Sequence, residues 1–484
     1  MSVQILPTCS RVFALPFVLA LLVGGCSFVP ALEQPSAEVT LPEAFDVARP
    51  DTLRPMPQWW KVYNDPVLEQ LVDTALVRNL DLSVAAARVV EVQNQYRIAR
   101  AAQYPSLGIG GEVGRSDTPA NVGFTSDLPA QTLPERFDNN TYTVSGTLAF
   151  ERDLWGRVRS QKAAALSEFR ATQEDYRTVQ IGVVSEVIAT YFELLDLEAQ
   201  LRLTQAQLRL LTERAELTEE RYTQGLVASF ELYAVRQEFE NTRTNVPLLE
   251  ASISDARGRL AIVLGLYPAE AAAMLVSDRT PDLVLSPVPA GLPSDLLKER
   301  PDVAASMQRL EATRQNVGVA RANLFPSVTM TVSGGLQSGE LSALVNTGQY
   351  FTNLVTSLSA PLFQGGKLRA NVRVSEAQYQ QAIASYEKTL RTAFKEVEVT
   401  LTSLEKQRER YDVLLSERAY ATASLDAQEA RYREGIGDYV AYLDARRNLI
   451  RVETSLASAE RALADARLAV HRALGGAWIE TPDA

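Results

Sequence analysis

The chain repeats itself, and the repeat limits its possible folds more than any other feature. Val319 to Ser327 echoes Ile98 to Ser106, which sets Pro326 221 residues after Pro105. Further on, Arg431-Tyr432 and Gly435 match Arg221-Tyr222 and Gly225, and Leu474-Gly475 matches Leu264-Gly265, all at a spacing of 210. The change of 11 residues falls between Ser106 and Gly156, where the first half carries a stretch rich in Pro, Asn and Asp. That stretch, Ser116 to Asn140, reads as a surface loop. The expected organisation is a first repeat over 63–266, a linker over 267–294, a second repeat over 295–476 and a tail over 477–484.

Proline marks where helices cannot run, because it removes one backbone hydrogen bond and clashes with the preceding turn. Pro66 to Pro105, Arg157 to Val246 and Leu362 to Thr481 enclose proline-free spans. Leu68, Leu71, Val72, Ala75 and Leu76 recur at helical spacing in the first of these. Val187, Leu194, Leu201 and Leu208, with Leu197 and Leu211 between, form heptads, as do Leu390, Val397, Leu404 and Tyr411 with Phe394, Leu401 and Leu415. Such a period predicts coiled-coil packing. Gly225 and Gly435 are the interior breaks, since glycine tolerates the left-handed geometry that ends a helix. Each half thus has two antiparallel helices after its strands, the first rising about 100 Å at 1.5 Å per residue.

Between the helices the period drops to two. Tyr142, Val144, Gly146, Leu148 and Phe150 alternate with Thr141, Thr143, Ser145, Thr147 and Ala149, giving one apolar and one small polar face. Val328, Met330 and Val332 alternate with Thr329, Thr331 and Ser333; Leu107, Ile109 and Val113 do so more weakly, and Phe351 to Leu362 is the least regular. One hairpin per half follows, at about 106–152 and 327–362. Four amphipathic strands in lipid would leave open edges whose backbone groups find no partner, so other subunits must complete the sheet. Two copies give eight strands around a filled interior, whereas three give twelve and a lumen. The fold class expected is mainly α with a β-barrel part, four strands per chain entering a trimeric 12-stranded barrel.

The N-terminus carries the export signal this requires. Arg11 precedes an apolar run from Val12 to Val23 and then Gly24-Gly25-Cys26, the layout of a signal peptide over 1–25. Small residues before a cysteine resemble a bacterial lipobox, which makes Cys26 the lipidated first residue of an anchored segment, 26–62. Ser27 in place of aspartate favours outer-membrane sorting. No later segment has about 18 consecutive apolar residues, so further insertion must use β-structure.

Composition removes other classes. A net charge of −11 without a lysine-arginine run gives no footprint for nucleic acid. One histidine, His471, and two cysteines, Cys9 and Cys26, leave no metal site or disulfide framework. No metalloprotease motif, phosphate-binding loop or nucleophile-base set occurs, so an enzyme is not expected. Gly108, Gly110 and Gly114 only superficially resemble a dinucleotide fingerprint, because a loop follows where a helix is required.

Specific stretches then resemble the outer membrane factor family, the TolC type, and its lipoprotein NodT-like branch. They are Gln58-Trp59-Trp60 with Asp65-Pro66-Val67-Leu68, Asp153 to Arg157, Lys298 to Val303, Leu362 to Gly366, and Tyr439 to Leu449. The resemblance implies a homotrimer in the outer membrane, its barrel continuing into a helical periplasmic tunnel. Solutes would reach it from an inner-membrane pump of the resistance-nodulation-division type through a periplasmic adaptor. It further implies a gate at the helical tips beside Gly225 and Gly435, with Asp444 of Leu443-Asp444-Ala445 and Val440 at the constriction. Arg431, Tyr432 and Tyr222 resemble residues that hold such tips closed. Ala441 stands where some relatives have a second aspartate, and Arg446 where glutamine is common. No cofactor is implied beyond the covalent lipid, palmitate included, that meets outer-membrane lipids. A type I protein secretion exit, or a lipidated coiled-coil adaptor, are the other readings.

Overall fold

A computed structural model describes residues 28–31, 58–119, 136–275 and 300–476. The signal peptide, Cys26, most of the linker and the tail lie outside them. The chain divides into two compact units.

The first unit, Met1–Gln34, Glu91–Phe169 and Gln308–Ile383, holds the sheet. Strands β1 (Ser106–Pro119), β2 (Arg136–Arg152), β3 (Ser327–Ser338) and β4 (Tyr350–Ser359) form an antiparallel meander in that order. The repeats meet inside it, because β2 pairs with β3 from Tyr142 opposite Ser338 to Arg152 opposite Val328. Since successive side chains alternate, the register sorts residues into two faces. Leu107, Ile109 and Val113 share one face with Tyr142, Val144, Leu148, Val332, Leu354 and Leu358. The other carries mainly Gly, Ser and Thr, together with Ala149, Phe351, Val355 and the acids Glu112 and Glu151. Both β1 and β4 present a free edge among the described residues.

The expected loop at Ser116 to Asn140 is shorter than its composition suggests, because the strands run into it. Arg115 pairs with Asp138 at 2.5 Å and Arg136 with Asp117 at 2.8 Å. These diagonal cross-strand pairs offset the poor strand propensity of Asp and Asn. At the other end of the sheet Trp155 donates from Nε1 to the Pro326 carbonyl at 2.6 Å. The Asp153 carboxylate accepts from the backbone N–H of Val158 (3.2 Å) and Arg159 (2.9 Å), capping the helix that follows.

Helices are α1 (Pro66–Arg78), α2 (Leu80–Ala101), α3 (Arg157–Thr223), α4 (Ser229–Arg243), α5 (Asn245–Val263), α6 (Pro268–Met274), α7 (Pro301–Ala322), α8 (Lys367–Arg433) and α9 (Tyr439–Ala473). Helices α3 and α8 each have 67 residues, and α2 and α7 each have 22. At 1.5 Å per residue the longer pair spans about 100 Å.

In the second unit the core joins Trp59, Trp60, Leu68, Leu71 and Val72 to Val184, Val187, Ile188 and Tyr191 of α3. Another cluster zips Val397, Leu401, Leu404 and Tyr411 of α8 onto Leu456, Ala459, Leu463 and Val470 of α9, the heptad contact read from sequence. Among the described residues only α3 has an 18-residue window apolar enough to cross a bilayer, and half of that window is buried in the protein. It serves as core.

Two breaks escaped the sequence. Asn79 is extended between α1 and α2, where its Oδ1 accepts from the Leu82 N–H at 2.9 Å. The return helix of the first half is also cut at Thr244, between α4 and α5. Pro247 lies one turn inside α5 and withholds the N–H that the Arg243 carbonyl would take. Its counterpart in the second half is Ala457, and α9 runs unbroken for 35 residues.

Candidate functional site at the helical tips

Helices α3 and α8 end in the same way because each has glycine one residue past its cap. Gly225 has φ of 74° and Gly435 of 76°, which only glycine adopts at no steric cost. The Leu226 N–H returns to the Arg221 carbonyl at 2.9 Å and the Ile436 N–H to Arg431 at 3.0 Å, so both turns satisfy orphan carbonyls. The second turn is tighter. Gly437 also donates to the Arg431 carbonyl at 2.9 Å, and a Cβ on it would stand 2.9 Å from the Arg431 carbonyl carbon. Asp438 then caps α9, accepting from the Val440 N–H at 3.3 Å, whereas its counterpart Ala228 has no side-chain acceptor to cap α4.

Three layers of charge and ring contacts link the repeats here. Nearest the turns, Arg221 of α3 meets Asp438 at 3.3 Å. Next, Glu213 accepts from the Tyr439 hydroxyl at 3.3 Å and lies 3.7 Å from Arg446. Burial first, and Glu213 second, push the Tyr439 phenol up, so it remains a donor. Tyr439 packs against Tyr432 and Tyr442 with ring centroids 4.9 and 5.8 Å away.

In the third layer Asp444 stands 3.2 Å from Arg214 and 3.5 Å from Arg447. Glu238 closes the circuit, 2.7 Å from Arg447 and 3.8 Å from Arg214. The Arg214 contact is Coulombic without hydrogen-bond geometry, since the buried Asp444 Oδ1 accepts no hydrogen bond. Four alternating charges thereby fasten α3, α4 and α9 together. Each chain is neutral at this level, so Asp444 is compensated rather than a bare acid.

Of the residues singled out by sequence, Asp444, Tyr432, Gly225 and Gly435 enter this arrangement. Val440 is half-buried in the first turn of α9. Arg431 contributes its carbonyl, and among the described residues its guanidinium makes no ion pair. Tyr222 is exposed and makes no ring contact there. Sequence reasoning passed over Arg214, Glu238, Arg447, Arg221, Asp438 and Glu213. A signal was present, because Arg214, Glu213, Glu238 and Asp438 have Ser424, Ala423, Asn448 and Ala228 as repeat partners. Charge present in one half alone marks contacts made between halves.

An amphipathic sheet whose two edges are unpaired among the described residues, in one chain with long coiled-coil helices, marks the class of outer-membrane channel proteins. The family model for outer membrane efflux proteins matches residues 71–266 and 292–476, so the chain belongs to that family. It is an outer-membrane efflux channel protein. It is 32% identical to the toluene efflux pump outer membrane protein TtgC of Pseudomonas putida, over 96% of this chain and 95% of that one. It is 29% identical to the cation efflux system protein CusC of Escherichia coli, over 96% and 98%. The crystal structure of the Campylobacter jejuni CmeC outer membrane channel superposes with a TM-score of 0.84 at 25% identity, covering 95% of this chain and 96% of that one.

Proposed function

We propose that three copies of the chain close a 12-stranded barrel and serve as the passive exit duct of a tripartite efflux system for small molecules. The observation that carries this reading is the sheet, apolar on one face, polar on the other and unpaired at β1 and β4. Unpaired edges in lipid cost several kcal/mol per backbone group, so closure with neighbouring copies is favoured strongly. In this reading a periplasmic adaptor and an inner-membrane pump of the resistance-nodulation-division type deliver the solute; the names of TtgC and CusC, an efflux pump outer membrane protein and an efflux system protein, support a role within a larger efflux assembly.

Cys26 carries the lipid anchor in this reading. Phe28, two residues later, stacks on Phe325 with centroids 4.5 Å apart, and Phe325 packs on Trp155 beside the ends of the strands. The duct is gated at the tips, where the Asp438 and Asp444 contacts hold α9 against α3. Expression of a Cys26→Ala variant with a cleavable signal tests the core of the reading. A trimer that persists in the outer membrane supports the channel; complete solubility would identify an adaptor or scaffold instead.

A further inference from the structure

Charged residues in the four strands are confined to Glu112, Arg115, Asp117, Arg136, Asp138, Glu151 and Arg152. By register, Arg115, Asp117, Arg136 and Asp138 continue the apolar face beyond Val113, and they are paired with one another. Glu151 shares the polar face with Glu112 but is held by Arg157 at 2.6 Å. Glu112 stands opposite Thr143, between Gly110 and Gly114 on its own strand face, and has no cation partner among the described residues.

A neighbouring copy does not supply a cation through its strands either. Strand β4, which would meet β1 across the subunit boundary, carries no charge, and neither does β3. The connecting residues 120–135 include Asp127 and Glu135 and no lysine or arginine.

We infer that Glu112 makes the barrel lumen favour cations, as a ring of three carboxylates at one level. This rests on the trimeric reading above. Twelve strands spaced about 4.8 Å apart and tilted about 40° give a wall radius of roughly 12 Å. A glutamate reaching inward brings its charge to about 8 Å from the axis, one screening length at 0.15 M salt. Coulomb's law in water then gives about two- to threefold enrichment of monovalent cations on the axis at 0.15 M, about eightfold at 0.01 M, and none at 1 M. The element acts on solutes already past the tips, so it biases cationic and neutral cargo over anions during exit. Asp444 cannot do the same, because Arg214 and Arg447 compensate it.

Reversal potentials of purified trimers in planar bilayers under a KCl gradient near 0.01 M test this. They are measured in the unaltered protein and in an Asp438→Ala, Asp444→Ala background with loosened tips. In the loosened background Glu112→Gln is expected to lower the cation preference severalfold, Glu112→Lys to invert it, and 1 M salt to abolish the difference. Glu112→Cys, labelled after assembly with an anionic or a cationic methanethiosulfonate, separates charge from folding: the anionic label restores the preference and the cationic one reverses it. Equal reversal potentials across these variants overturn the role of Glu112 while leaving the channel intact. Absence of conductance in every form overturns the channel reading and this inference with it.

Discussion

Arg300 donates from Nη1 to the carbonyl of Ala473 at 2.8 Å, and its repeat equivalent Asn79 donates from Nδ2 to the carbonyl of Val263 at 2.7 Å. The two donors are 221 residues apart and the two acceptors 210, so a single contact spans both spacings of the duplication. In each half it ties the residue before a helix to the end of the return helix, satisfying a carbonyl that the last turn leaves free. The halves differ in chemistry. Asn79 is a neutral donor, while Arg300 also pairs with Asp302 at 2.7 Å and Glu396 at 2.8 Å.

Removing these donors should therefore have unequal effects. Asn79→Ala loses a cap and one hydrogen bond, about 1–2 kcal/mol. Arg300→Met unmakes a largely buried guanidinium network and leaves Glu396 without its cation, about 3 kcal/mol. Thermal dissociation of the purified assembly checks the order; a larger loss for Asn79→Ala would show that the ion pairs contribute little.

The tip contacts predict which substitutions loosen the proposed gate. Asp438→Ala with Asp444→Ala removes the anion that faces Arg221 and leaves Arg214 and Arg447 to share Glu238 alone, so α9 is held less tightly against α3. Each exposed pair is worth under about 1 kcal/mol, and the proposed trimer would repeat the effect in each of its chains. Single-channel conductance of the double variant should rise severalfold, whereas Arg431→Ala, whose role is its backbone carbonyl, should leave conductance unchanged. A conductance increase in Arg431→Ala alone would return that guanidinium to the gate.

The strands predict a contrast between glycines. A Cβ on Gly335 would lie 2.0 Å from the Val144 carbonyl oxygen, inside the β2–β3 ladder, while one on Gly110 meets nothing within 4 Å. Gly335→Ala should block pairing of the two halves and abolish heat-resistant trimers on gels, and Gly110→Ala should assemble normally. Equal yields of both would mean that the ladder relaxes around Gly335.

Much of this was legible because its signals are local. Glycine at Gly225 and Gly435, the alternation from Thr141 to Phe150 and the heptad at Leu390 to Tyr411 report the backbone conformation of the residues that bear them. The Thr244 break was less visible, because it depends on a single proline whose repeat counterpart is alanine. The tip network was hidden for a different reason. Arg214 meets Asp444, and Arg221 meets Asp438, only through pairing of α3 with α9, and no local period encodes a partner more than 200 residues away. Asp444 was found by family likeness, whereas Arg214, which faces it from α3, lies in a sequence context that reads as ordinary solvated helix.

Acid should weaken the assembly through its one histidine. His471 stacks on Trp59 with centroids 4.8 Å apart, and burial first, with Arg467 second, pushes its pKa down from 6.5 to about 3. The unfolded chain therefore binds a proton between those values that the folded chain refuses. The neutral ring's contribution is complete above pH 6.5 and is lost as pH falls toward 3, by up to about 1.4 kcal/mol per unit. Asp465 and Glu460 act oppositely, because burial raises their carboxyls and favours the folded state as they protonate. Comparing the unaltered protein with His471→Phe at each pH cancels the carboxylates, which are common to both. The phenyl ring keeps the stack on Trp59, so the difference in melting temperature isolates the imidazole. His471→Phe should match or exceed the unaltered protein below pH 6, with the gap widening steadily toward pH 4. A gap that stays constant with pH would mean that His471 titrates normally in the folded state.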